Sequence, residues 1–458
     1  MQRDTDLTFK DIYGTPNAIL KNIEDIYKHA VDPVATNNAL DLRFLTYNNS
    51  SDSDPVLHLT EKGANIGETN YVAVSYTWQK FDPVDDTVAV PRYRISATAA
   101  LRNPRSQNAV LHRAVQFARA YDVPFIWIDQ DCIDQQDRID VQRHLHIVHE
   151  IFYQSRYAIG LLSFHIHNES HVKSLQYIHE GVCLDELNGL SESRRFEESE
   201  IAQRMMRALR LLTTISVDQW FSRTWTFMER HSAPHMHLLL PCDASLAMDN
   251  KTKRLPAELE LSLLRLQQVR KKLEETRYYS PIREEVFLGR QNHHQDRQLI
   301  FEAISRLSHL ISRKFLVEFK TPPWRQALNL RQVTAIFSHI EQCENTVLSD
   351  RLLILGYLCG FSRRLKTDEL NHYKYSYSTC AFVLLLMNGW FLRVWDDDDA
   401  TFCWNHTFKD VLTQGSWQEQ HGGGELLTPF QESMEVLLGQ ERVSGDFIEK
   451  LRAIFGVC

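Results

Sequence analysis

From residue 71 to residue 162 the chain alternates between two hydrophobic rhythms. Three short apolar blocks, Tyr71-Val-Ala-Val-Ser-Tyr76, Phe125-Ile-Trp-Ile128 and Tyr157-Ala-Ile-Gly-Leu-Leu162, are rich in β-branched and aromatic residues and read as buried strands. Between them, Val110, Leu111, Ala114, Val115, Phe117, Ala118 and Tyr121 recur at helical spacing, which predicts a helix over 109–121. Leu145, Ile147, Val148, Ile151 and Phe152 predict a second, from about Arg138 to Gln154. Such a β-α-β-α-β string gives a parallel sheet with right-handed crossovers. Its strands end on one shared edge, where ligands bind. Ser75, Tyr76, Trp78 and Asp129 are therefore expected to meet in space, although they lie far apart in sequence.

Met236 to Leu240 reads as a fourth strand, reached through a helix over 201–214, and Leu42 to Thr46 as an edge strand. Residues 79–106 carry Pro83, Pro91 and Pro104 and read as a long loop; 164–216 is mostly polar. From about 250 the pattern becomes helical, with segments expected at 256–276, 296–318, 323–341, 349–362, 378–391 and 429–455. The expected organisation is an N-terminal extension (1–64), an α/β domain (65–245) and a mainly α-helical C-terminal region (246–458). No internal repeat, GxGxxG or GxxxxGK(S/T) occurs.

Composition narrows the class. Hydrophobic content of 43% and charge of 24% fit a soluble globular chain of 458 residues. A net charge of −8 advertises no basic face, so no nucleic-acid partner is expected. The eight cysteines are scattered without a CxxC pair, which reads as reduced intracellular thiols. Ala381 to Met387, the longest apolar run, is too short for a bilayer span, and the charged N-terminus lacks a signal-peptide core, so a cytoplasmic location is expected. His144, His146, His149 and Glu150 share one predicted helix, on which only His146 with Glu150, and His149 beside them, share a face usable by a metal; HExxH is absent, and no metal site is expected. The run Asp396 to Asp399 reads as a solvated acidic loop, and Gly422 to Gly424 as a flexible one.

Three motifs gather the candidate chemistry: Tyr71-Val-Ala-Val-Ser-Tyr-Thr-Trp78, Trp127-Ile-Asp-Gln-Asp-Cys-Ile-Asp-Gln135 and Arg223-Thr-Trp-Thr-Phe-Met-Glu229. In this order and spacing they resemble the fungal heterokaryon incompatibility (HET) domain, whose pattern is roughly YxALSYxWG, WIDxLCINQ and RxWTxQE. Ser349 to Gly356 resembles a segment found downstream in many such proteins. Gln79 stands where the family has Gly, Asp131 where it has Leu, Asp134 where it has Asn and Met228 where it has Gln. The HET domain is similar in turn to the Toll/interleukin-receptor (TIR) fold, a flavodoxin-like parallel sheet. That resemblance implies programmed cell death in fungal non-self recognition, a form of innate immunity. It implies NAD as a candidate substrate, with no cofactor of the chain's own, and self-association through the loop after Asp129. It leaves room for an incompatibility partner protein.

In this resemblance Glu229 corresponds to the catalytic acid of TIR enzymes that cleave NAD. Its bland reading is an acid near a helix N-terminus, favoured by the dipole. Trp78 and Tyr76 could stack on a planar ring or simply pack; Ser75 could donate to ribose or phosphate. Asp129 could orient Ser75 or Arg223, or cap the sheet in an ion pair. Arg223 could bind the pyrophosphate or form a structural salt bridge. Trp225 and Cys132 complete the candidate binding set; taken alone, Trp225 reads as the anchor of its turn and Cys132 as a small buried hydrophobe. Asp134 reads as the entry to the helix at Arg138. Two functions stay open: a TIR-like NAD glycohydrolase, and a non-catalytic module that recruits a death effector.

Overall fold

The computed structural model describes residues 1–31, 42–48, 55–63, 70–78, 90–97, 100–183, 200–247, 255, 257–278, 330–370, 374–388, 390–392, 405–414 and 417–419. The helices expected at 296–318 and 429–455, Gln79, the acidic run 396–399 and the glycine run 422–424 lie outside the described residues. The chain divides into two compact units: Ala35–Leu316, and Met1–Val34 together with Val317–Cys458. The N-terminal extension expected over 1–64 is thus shared between the two.

The first unit is built on a nine-stranded mixed sheet. Its strands are β1 (Leu45–Tyr47), β2 (Val56–Leu59), β3 (Tyr71–Ser75), β4 (Arg94–Ala97), β5 (Ala100–Arg102), β6 (Phe125–Trp127), β7 (Tyr157–Leu161), β8 (His237–Pro241) and β9 (Glu258–Ser262). Their spatial order is β9-β8-β7-β3-β6-β1-β2-β4-β5. The helices are α1 (Asn108–Ala120), α2 (Arg138–Gln154), α3 (Glu169–His179), α4 (Glu200–Ile215), α5 (Thr224–Ser232) and α6 (Leu263–Tyr278). The four central strands β6, β3, β7 and β8 are mutually parallel. In order of appearance they lie 2-1-3-4, the winding of flavodoxin-like sheets, whose switch point falls between the first and third strands.

All five residues of β3 are buried, so both faces of the sheet are covered there. Tyr71, Ala73 and Ser75 share one face. On that face the Tyr71 hydroxyl donates to the Ile151 carbonyl of α2 at 2.6 Å. Ser75 pairs in register with Gly160 of β7. A Cβ at Gly160 would come within 2.8 Å of both Leu238 Cδ2 and Trp220 Cζ2, so this glycine makes the space into which Trp220 packs. Gly160→Ala is expected to cost about 1–3 kcal/mol, the usual range for overpacking, and to displace Trp220; urea unfolding with tryptophan fluorescence checks both.

Three sequence expectations need correcting. The sheet is mixed rather than parallel throughout: β9 runs antiparallel to β8, and β1 antiparallel to β6. Leu45–Tyr47 is not an edge strand, because it lies between β6 and β2. The start of the helix expected over 256–276 is β9, where Leu259 and Leu261 are buried in strand alternation. Glu258 is held there by Arg113, which also donates to the Leu162 and Leu239 carbonyls at 2.8 Å. Strands β4 and β5 occupy part of the expected 79–106 loop, and α3 part of the polar stretch 164–216.

In the second unit, helix Tyr377–Met387 is buried along its whole length and packs against helix Pro16–Tyr27. An apolar helix without a polar face belongs in a core. No helix among the described residues is long and apolar enough to cross a membrane. The six described cysteines are buried.

Candidate functional site

Ser75 ends β3 at the switch point, and two residues of the third motif converge on it. The Trp220 indole N–H donates to Ser75 Oγ at 2.8 Å, and the Ser75 hydroxyl donates to the Glu229 carboxylate. Trp220 is fully buried and held from several sides. Asp218 caps its one-turn helix (Gln219–Ser222) by accepting from Trp220 N at 2.9 Å. The same carboxylate accepts from the backbone of Ser163 and Phe164, at 2.7 and 2.8 Å, just beyond β7. The Arg230 guanidinium, also buried, lies 5.8 Å over the Trp220 ring. Helix α5 then presents Glu229 from its second half, with Arg223 as N-cap. A dipole-stabilised N-terminal acid is therefore excluded, since the second half of a helix offers a carboxylate no such help.

Beside this triad sits a second acid. Asp129 Oδ1 accepts from the Tyr76 hydroxyl and its Oδ2 from the Trp78 indole, both at 2.9 Å. The Tyr76 hydroxyl oxygen also lies 2.7 Å from Gln130 Oε1, and Gln135 Nε2 donates to the Asp129 carbonyl at 3.0 Å. Tyr76 is buried and pinned by its hydroxyl, whereas Trp78 is 49% exposed and offers a ring to solvent. The strand ends thus join Tyr76, Trp78 and Asp129 as expected. They join Ser75 to Glu229 and Trp220 rather than to Asp129.

Burial pushes the Glu229 carboxyl up to about 8, against the Ser75 hydrogen bond; the charge of Asp129 adds to the rise and Arg223 opposes it. Burial likewise pushes Asp129 up to about 6, against donors from Tyr76, Gln130 and Trp78. Two neighbouring acids with separated pKa values are a common arrangement at catalytic sites.

Residues 71–229 match the family model described as heterokaryon incompatibility protein (HET). The chain carries a HET domain. No curated protein and no solved structure matches it. The matched span begins at the first residue of β3 and ends at Glu229, so it encloses the Ser75–Trp220–Glu229 triad and the Asp129 cluster.

Other candidate residues of the HET domain lie elsewhere or play framework parts. Cys132 is fully buried; its thiol, pushed by burial up to about 12, points to the Ile126 carbonyl at 3.7 Å. Trp225 is partly exposed on the first turn of α5, and the anchoring position belongs to Trp220 instead. Asp131, the departure from the family Leu, is buried and accepts from Arg102 at 2.8 Å and from the backbone of Arg105 and Ser106. Helix α2 is capped by Asp137, whose side chain accepts from Ile139 N and Asp140 N, not by Asp134. Met228 is buried in the core. A cavity of about 290 Å³ opens between α3 and α4, lined by Ser170, Lys173, Ser174, Tyr177, Arg204 and Arg207, and takes in none of the HET motif residues.

Sequence reasoning missed Trp220 and Gln130. Trp220 was legible only as the first aromatic of a Trp-rich turn; its contact with Ser75 depends on the missing side chain at Gly160, which no local pattern marks.

Proposed function

We propose that the HET domain cleaves NAD between nicotinamide and ribose, and that this activity serves heterokaryon-incompatibility cell death. The reading rests on one observation: Glu229, an acid with a strongly raised pKa, meets Ser75 at the switch point of a flavodoxin-like sheet. The chemistry asks little of a protein. The nicotinamide nitrogen of NAD is already cationic, so it takes the bond electrons and leaves neutral, without a general acid. Positive charge then develops on the ribose ring. Glu229 as a carboxylate stabilises it and receives the proton of the water that attacks C1′. Ser75, polarised by the Trp220 N–H, holds that carboxylate. The half-exposed Trp78 ring offers a face on which a base can stack. Arg223, which acts electrostatically on Glu229, suits the pyrophosphate.

Glu229 must lose its proton to act, and that sets the expected pH dependence. With a pKa of about 8, kcat/KM for nicotinamide release should rise about tenfold per pH unit below 8 and level off above it. The cationic nicotinamide ring of bound NAD favours the carboxylate, so the kcat profile should lie at lower pH. A profile flat from about pH 6 to 9 would contradict this role. Stability is linked to the same proton. The folded chain holds it more tightly than an ordinary glutamate at 4.5. The stabilisation is therefore complete below about 4.5 and is lost as pH rises through about 8.

Self-association through the loop after Asp129 belongs to the proposal. Ile139, 80% exposed at the start of α2, lies just past that loop and would be covered by such a contact. The same exposed Ile139 and Trp78 are what favour the alternative, a non-catalytic module that recruits a death effector. The two readings part at Glu229, because a docking module needs no acid at that place.

A further inference from the structure

Beyond the HET motifs, the chain leaving β7 and the chain leaving β8 run side by side. Ile166 and Cys242 form a parallel bridge; Ile166 N donates to the Pro241 carbonyl at 2.8 Å, and Asp243 N to the Ile166 carbonyl at 3.3 Å. Ile166 is fully buried, so its neighbours His165 and His167 both turn to the opposite side, as alternate residues of an extended chain do. The register sets Asp243 beside His167 on that side. The two imidazoles stack with centroids 4.2 Å apart and planes at 20°. Their Nδ1 atoms lie 3.9 Å (His165) and 3.7 Å (His167) from Asp243 Oδ1. One ligand-capable atom from each residue falls within 4.8 Å of the other two.

A second observation points into the cluster. His165 Nδ1 is buried and has no hydrogen-bond partner among the described residues, and Asp243 at 3.9 Å is too far to serve. A buried nitrogen left in that state is costly unless something else meets it. A metal ion bonded to nitrogen and oxygen at about 2.0–2.2 Å in tetrahedral geometry holds its donor atoms about 3.3–3.6 Å apart. The two histidine–aspartate separations exceed that by a few tenths of an ångström, and binding one ion would turn the imidazoles out of their stack so that both in-plane lone pairs reach it. His167 and Asp243 are exposed, which leaves an open side for a water ligand.

We infer that His165, His167 and Asp243 form a binding site for a divalent transition-metal ion, zinc foremost. Two imidazoles and one carboxylate suit zinc, cobalt or nickel, whereas magnesium and calcium prefer oxygen alone. The bound ion would tie the segment entering α3 to the segment leaving β8. The site is independent of the NAD reading and stands or falls separately.

The test uses the full chain, stripped with EDTA and dialysed, and titrated with CoCl₂ while visible d–d absorption is followed; ZnCl₂ then displaces the cobalt. One equivalent of cobalt is expected, with bands of a four- or five-coordinate site and a higher Tm in zinc. His167→Ala and Asp243→Asn alter exposed side chains and should leave the far-UV spectrum unchanged. Each should weaken cobalt binding by about tenfold or more, since losing only a ligand's supporting partner already costs about 10–100-fold. His58→Ala, an exposed histidine of β2, should bind as the wild type does. No d–d bands in the wild type, unchanged affinity in either ligand variant, or equal loss in His58→Ala overturns the inference.

Discussion

Glu229→Gln is expected to lower kcat/KM for nicotinamide release by about 100- to 1,000-fold while leaving the fold intact. Removing one preorganised electrostatic group from an active site typically costs that much. The amide keeps an oxygen to accept from Ser75, so the Trp220–Ser75–residue 229 chain survives the change. What disappears is the ionisable group that opposes charge on the ribose. The same variant should flatten the decline of stability between about pH 4.5 and 8, because the proton responsible for it is gone. A variant that loses activity and keeps its melting profile at pH 5 separates chemistry from folding. Retention of full activity would remove Glu229 from the reaction.

Trp220→Ala is expected to destabilise the HET domain by about 3–5 kcal/mol, the usual cost of truncating a large buried aromatic. The side chain is fully buried, fills the space above Gly160 and lies under Arg230. Its loss leaves a cavity at the switch point and removes one of the three aromatic rings, with Phe221 and Phe227, that face the buried Arg230 guanidinium. Chemical unfolding at neutral pH measures the loss. Trp220→Phe isolates the polar part. It keeps most of the packing and removes the N–H that donates to Ser75, for about 1 kcal/mol. The Ser75 hydroxyl then becomes a weaker donor to Glu229, and that hydrogen bond is one of the forces holding the acid's pKa down. The acid limb of the activity profile should therefore move to higher pH in Trp220→Phe. A merely structural Trp220 would leave that limb in place.

The sequence was most legible where contacts are local or strand order alone decides them. Helical spacing located α2 at Arg138–Gln154, and the three apolar blocks became β3, β6 and β7. Strand-end convergence placed Tyr76, Trp78 and Asp129 together. Non-local causes escaped. Glu258–Ser262 reads as the start of a charged helix, because its leucines run on into Leu263 and Leu266; pairing with β8 and the Arg113 ion pair make it a strand. Trp220 rather than Trp225 became the anchor because it packs into the space left at Gly160, on a distant strand. His165 and His167 are separated by one residue in a polar stretch and became a cluster only when β8 brought Asp243 alongside.

The central claim is that the acid gathered at the switch point acts on NAD. Incubating the concentrated full chain with NAD at pH 8 and quantifying free nicotinamide by chromatography tests it most directly. The account predicts nicotinamide in proportion to protein and time, with almost none from the Glu229→Gln variant run beside it. Intact NAD in both samples, or equal release by the two proteins, would contradict it.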